Sequence, residues 1–204
     1  KTPGNPHQGC PAFSRLGLSR SVRWENFEMK LIVIEGCDGT GTSTHTESLA
    51  YSLREVGYTT VEFHHPPPPK GCSPWTRVSH YASERSKLVD QYGATDTVVV
   101  ADRWYHSTLV FAAIIDGALK TRLHVLAHME RNTLPAPVML AVLDASDAEL
   151  DRRLTKRGEV VRPSDTVQRE TYRKTVCPHA TVTLDTEQPR DVGRGRLLDL
   201  SLVS

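Results

Sequence analysis

The sequence predicts an α/β protein built on a five-stranded, mainly parallel sheet with helices on both faces. Short apolar runs alternate with segments of helical period, as a sheet covered on both sides requires. The first apolar run passes at once into a glycine-rich loop and then a helix. Charged and aromatic residues gather where the apolar runs end, at the edge where ligands of such sheets bind.

The first strand is expected at Leu31 to Ile34, a run rich in β-branched residues. His45 to Val56 carries apolar residues at helical spacing, and Gly57 stops it. A second strand is read at Thr59 to Phe63, then a stiff proline connection, then a helix from Trp75 to Tyr92. Thr97 to Ala101 is the third strand, followed by helices at Ser107 to Ile115 and Lys120 to Glu130. Val138 to Leu143 is the fourth strand, with helices at Ala148 to Arg157 and Gln168 to Val176. Thr181 to Leu184 is the fifth strand, and a helix near Val192 to Leu200 closes the chain. Crossovers between parallel strands should be right-handed.

Residues 36 to 44 read Gly-Cys-Asp-Gly-Thr-Gly-Thr-Ser-Thr. The phosphate-binding pattern G-x-x-x-x-G-K-[ST] is met by Gly36, Gly41 and Ser43, but Thr42 stands where the lysine belongs. Glycines let backbone N–H groups turn toward a phosphate, and the following helix adds roughly half a positive charge at its N-terminus. Gly36, Gly39, Thr40, Gly41, Thr42, Ser43 and Thr44 are therefore the expected nucleotide phosphate-binding set, with the Ser43 hydroxyl directed to Mg²⁺.

At 204 residues the chain is long enough for one domain with a substantial core. A net charge of +1, with no basic run interleaved with aromatics, argues against a nucleic-acid partner or an anionic membrane surface. No apolar stretch reaches the ~20 residues that span a bilayer. Cys10, Cys37, Cys72 and Cys177 have no metal or redox spacing and read as reduced thiols, which places the protein in the cytoplasm. Adjacent His64 and His65 should point to opposite faces of a strand and so not share an ion. Residues 1–28 mix proline, glycine, serine and arginine without a period and are expected to be an N-terminal extension, disordered or foreign to the native chain. Met29-Lys30 looks like a native start before the 29–204 domain; an organelle-targeting leader is the other reading of the arginine-bearing segment.

Taken together, these pieces resemble thymidylate kinase and its nucleoside-monophosphate kinase relatives over roughly residues 29 to 185. That family reads G-x-D-G-x-G-K-S-T at its loop, and this chain departs from it at Thr42. It reads D-R-Y-x-x-S-S after the third strand, matched by the run from Asp102 to Thr108. Glu84-Arg85 is similar to its acidic-Arg pair, and Leu143-Asp144 followed by Arg152, Arg153 and Arg157 is similar to its fourth strand and arginine-bearing lid. The resemblance implies a P-loop NTPase three-layer fold, ATP as co-substrate and Mg²⁺ as cofactor.

Roles follow from it residue by residue. Ser43 and Asp102 hold Mg²⁺, and Asp102 also lies near the acceptor phosphate. Arg103 grips that phosphate, since a guanidinium fork matches its oxygens. Asp38 contacts the acceptor sugar and Arg85 the base edge, with a solvated helix face as the alternative for Arg85. Arg153 and Arg157 neutralise charge on the transferred phosphoryl group. Trp104 and Tyr105 either wall the base pocket or fill core. A homodimer is implied as well, although composition marks no interface.

Three departures matter. Thr42 carries no charge, so unless Arg153, Arg157 or Lys156 compensates the expected loss is on the order of 10²-fold or more in rate. His64-His65-Pro66-Pro67 holds no arginine where the family has one, and Val110-Phe111-Ala112 stands where it has A-Y-Q. Thymine specificity is therefore open. The first expectation is phosphorylation of a (deoxy)nucleoside monophosphate by ATP, dTMP to dTDP above all. The rivals are a weak or inactive nucleotide-binding protein on a kinase scaffold, and a P-loop kinase for another nucleoside or nucleotide.

Overall fold

In the computed structural model, which describes residues 28–203, five strands form one sheet in the order β2-β3-β1-β4-β5. The strands are β1 (Lys30–Gly36), β2 (Thr60–His64), β3 (Val98–Asp102), β4 (Met139–Asp144) and β5 (Val182–Asp185). Every pairing is parallel, including the two edges, so the sheet is wholly rather than mainly parallel. Among the described residues six α-helices lie between the strands, α1 (Thr42–Glu55), α2 (Pro74–Tyr92), α3 (Tyr105–Ala113), α4 (Gly117–Thr133), α5 (Asp147–Lys156) and α6 (Pro163–Thr171), and α7 (Arg190–Val203) follows β5. The reading of residues 1–28 as an extension lies, but for Glu28, outside the described residues.

The apolar runs have both faces covered because successive side chains point to opposite sides of a strand. Leu31, Val33, Val99, Ala101, Leu140 and Val142 pack on one side with Trp104, Leu150 and Tyr172. Ile32, Ile34, Val98, Val100, Met139 and Ala141 pack on the other with Leu49 and Leu53 of α1 and Leu197 of α7. Burying each such side chain contributes about 1.5–3 kcal/mol. A smaller cluster of Val78, Ala112 and Leu123 joins α2, α3 and α4. Among the described residues no helix is long and apolar enough to cross a membrane.

Local signals explain most boundaries. Ser73 caps α2 by accepting from the Thr76 amide at 3.1 Å, with Pro74 in the first turn. Ser146 caps α5 through the Glu149 amide. The expected helix from Gln168 to Val176 instead begins at Pro163, widens into a π-helix at Tyr172–Val176, and ends in a 3₁₀ turn at Cys177–His179. The π segment turns Tyr172 into the core and Arg173 toward the end of β4.

Candidate active site

The carboxyl ends of β1 and β3 lie side by side, with Ile34 opposite Asp102 in register. The glycine loop leaves β1 there. Gly36 admits no side chain, because a Cβ would lie 2.5 Å from Thr40 Oγ1 and 2.8 Å from the Leu143 carbonyl. Gly41 enters α1 at φ 89°, in the left-handed region. α1 has neither a side-chain cap nor an acidic residue in its first turn. Its leading N–H groups are thus left for an anion, the arrangement of a phosphate-binding loop.

Ser43 donates a hydrogen bond to Asp102 Oδ2 at 2.5 Å. The other oxygen, Asp102 Oδ1, is buried without a hydrogen-bond partner. A carboxylate with an unsatisfied oxygen beside a serine hydroxyl fits the oxygen-ligand chemistry of Mg²⁺, which is held by one or two carboxylates and otherwise by water and phosphate. Among the described residues no group of three or more His, Cys, Asp or Glu side chains forms a metal cage.

Arg103 follows Asp102 at φ 73°, the left-handed value for a non-glycine among the described residues. Such strain costs on the order of 1–3 kcal/mol and is held by the surroundings. Here the Arg103 amide donates to the Ile34 carbonyl at 2.9 Å, and its guanidinium meets Asp38 at 2.6 Å. Burial works against the charge on Arg103, but Tyr172, Asp38 and Glu35 outweigh it and hold the guanidinium above its usual pKa. Asp38 and Arg103, both read from sequence as acceptor-binding, therefore reach each other across the site.

A cavity of about 410 Å³ opens beside this pair, lined by Ser43, Asp102, Arg103, Arg85, His65 and Tyr81 among others. Arg85 is 2% exposed, which overturns the solvated-face alternative. Its guanidinium meets Glu130 through two hydrogen bonds of 2.7 and 2.9 Å and reaches Thr108 and His65 as well. Burial, reinforced by the Arg85 charge, pushes His65 down to about 3. The neutral ring can then accept from Arg85 on Nε2. His64 and His65 both line this cavity, contrary to the opposite-face expectation, because the chain leaves β2 at His64. His64 pairs with Asp102 at 3.2 Å while His65 turns to Arg85 at 3.0 Å.

A second cavity of about 260 Å³ lies over the loop, lined by Gly39, Thr40, Gly41, Thr44, Arg153 and Arg190 among others. Arg153 is fastened there by hydrogen bonds to the Gly39 carbonyl, Thr186 and Glu149. Arg157 lines neither cavity and pairs with Glu159 at 2.9 Å. Thr42 is buried at the start of α1. Trp104 is 0% exposed and Tyr105 is buried against His106, so both belong to the core rather than to a base pocket.

Several residues of the site carry no sequence signal of their own. Glu35 is fully buried at the end of β1 and accepts from the Trp104 amide, Ser107 and Tyr172 at 2.7 to 2.9 Å. Burial raises its pKa against the pull of these bonds. Gln168 and Tyr172 enter the first cavity from α6 and the π turn, and Arg173 closes on Asp144 with two hydrogen bonds. Only the charge of Glu35 within an apolar run could have marked it.

No family model matches the chain. It is similar to the thymidylate kinase of Chlamydia felis, 28% identical over 116 residues, which cover 48% of this chain and 56% of that protein. It is also similar to the thymidylate kinase of Chlamydia caviae, 28% identical over 138 residues, covering 57% of this chain and 67% of that protein. The match to the first relative thus spans little more than half its length. The α/β fold with its all-parallel sheet is consistent with a P-loop kinase of that kind.

Proposed function

We propose that this protein is a nucleoside-monophosphate kinase that transfers the γ-phosphoryl group of ATP to a pyrimidine deoxynucleoside monophosphate, dTMP first. The observation that carries the reading is that one glycine loop walls two cavities, Ser43 facing one and Gly39 to Gly41 and Thr44 the other. Two substrates held on either side of a phosphate-binding loop is what phosphoryl transfer between nucleotides needs. The similarity to two thymidylate kinases supports the choice of acceptor.

ATP occupies the cavity lined by Gly39, Thr40, Gly41, Thr44 and Arg153, and the acceptor the one lined by Arg103, Arg85 and Tyr81. Arg103 orients the acceptor phosphate, with Asp38 exchanging its ion pair for the acceptor sugar. Ser43 and Asp102 would hold Mg²⁺, which lowers the charge of the ATP phosphates when bound. An acceptor phosphate oxygen forms its bond to the γ-phosphorus as the bond to the β–γ bridging oxygen breaks, and ADP leaves. The acceptor oxygen is already ionised, so no protein base takes a proton. Arg153 stabilises charge on the moving group, and Arg157 joins it on closure of the lid. The protein acts on soluble nucleotides in the cytoplasm, as a homodimer.

ADP release is to be measured with ATP and Mg²⁺ over ribo- and deoxynucleoside monophosphates, beside the Thr42→Lys variant. Turnover on one monophosphate establishes the kinase and names its acceptor. Silence from both chains overturns the acceptor class. Thr42 favours one second reading, a nucleotide-binding protein with little turnover, and activity confined to the Thr42→Lys variant would select it.

A further inference from the structure

The ATP-side cavity lacks the loop lysine, so another cation has to meet the phosphates if ATP binds there. Lys156 and Arg157 line neither cavity, and Arg157 is paired with Glu159. Arg153 lines the cavity, but Glu149, Gly39 and Thr186 already occupy most of its donors. Arg190 is placed differently. It is the first residue of α7 and lines the same cavity as Arg153, together with Gln188 and Pro189. Its guanidinium makes a single hydrogen bond of 3.3 Å, to the carbonyl of Thr44 next to the loop serine, and no ion pair among the described residues.

Resting on the ATP reading above, we infer that Arg190 supplies the phosphate-binding charge that Thr42 cannot. A weak bond from an exposed guanidinium to a neutral carbonyl contributes little and is readily exchanged for a charge-assisted one. The fork of an arginine suits two phosphate oxygens at once, where a lysine offers a point charge.

The test is calorimetric titration of the full chain with adenosine, ADP and a non-hydrolysable ATP analogue. The chains are the unmodified protein, R190Q, R190K, T42K and the T42K/R190Q double variant, with melting temperatures taken alongside. R190Q is expected to weaken the ATP analogue about tenfold and leave adenosine unchanged, with R190K in between. In the T42K background the same substitution should cost less than about threefold, since the lysine then holds the phosphates. R190Q within twofold of the unmodified chain overturns the inference, as does an equal loss for adenosine, or an undiminished loss in the T42K background. If R190Q melts early, R190K decides: in a stable fold, an analogue affinity weakened by less than about tenfold with adenosine unchanged supports a charge role, and a loss shared by adenosine overturns it. If the unmodified chain binds neither ADP nor the analogue, the ATP reading falls and the inference falls with it. ATP binding that ignores Arg190 overturns the inference alone.

Discussion

The hydroxyl of Ser43 lies 2.5 Å from Asp102 Oδ2, a contact between residues 59 positions apart. It joins the end of the glycine loop to the end of the neighbouring strand. The free oxygen of Asp102 beside it is the most plainly unsatisfied acid atom of the site. Ser43→Ala and Asp102→Asn are each expected to lower turnover by on the order of 10²-fold and to raise the Mg²⁺ concentration needed for half-maximal rate. A Mg²⁺ titration of each variant checks this, and an unchanged midpoint would remove both residues from the metal site.

Thr42→Lys measures how much charge the loop is missing. With Arg190 and Arg153 beside the loop, the expected gain in kcat/KM for ATP is below about tenfold. A gain of about 10²-fold or more would mean that neither arginine substitutes for the lysine.

The Arg85–Glu130 pair is buried on both sides, with the side chains 2% and 7% exposed. Removing one partner strands the other charge in the interior. Glu130→Ala is expected to cost about 3–5 kcal/mol of folding stability, read from urea denaturation. A loss under about 1 kcal/mol would mean that water reaches Arg85 in solution.

His106 should make the protein sensitive to acid. Burial, helped by the charges of His179, Arg131 and Arg85, lowers its pKa from 6.5 to about 4. Between those values the unfolded chain binds the proton and the folded chain does not, so stability rises with pH across that window and falls on acidification. Above about 6.5 the contribution is complete. The stability of His106→Gln should change less steeply than that of the unmodified chain between pH 6.5 and 4, measured by thermal melts. Parallel curves would contradict the assignment.

Strand order aside, much of this architecture was legible in the chain. The runs around Ile32, Val99, Leu140 and Val182 needed only their apolar continuity to be read as strands covered on both faces. Gly36 and Gly41 announced the turn, since a Cβ at the first would collide with Thr40 and Leu143 and the second takes a left-handed backbone that favours glycine. Asp102 and Arg103 could be assigned to the site from their position at a strand end. These are local signals, set by hydrogen bonding and sterics between near neighbours.

What Arg85, Trp104 and Arg190 do was decided elsewhere. Arg85 sits in a helix rich in polar residues, and its burial depends on Glu130, 45 positions on, arriving from α4. Trp104 is drawn into the core because the Glu35 carboxylate takes its amide while Phe63 packs edge-on against its ring. Arg190 meets the loop 146 positions before it only because β5 lies beside β4 and returns α7 to the face that α1 covers. Residue type and spacing carry the local backbone choices, whereas these pairings depend on which crossovers bring distant segments together, and on the cost of leaving a buried charge or amide without a partner.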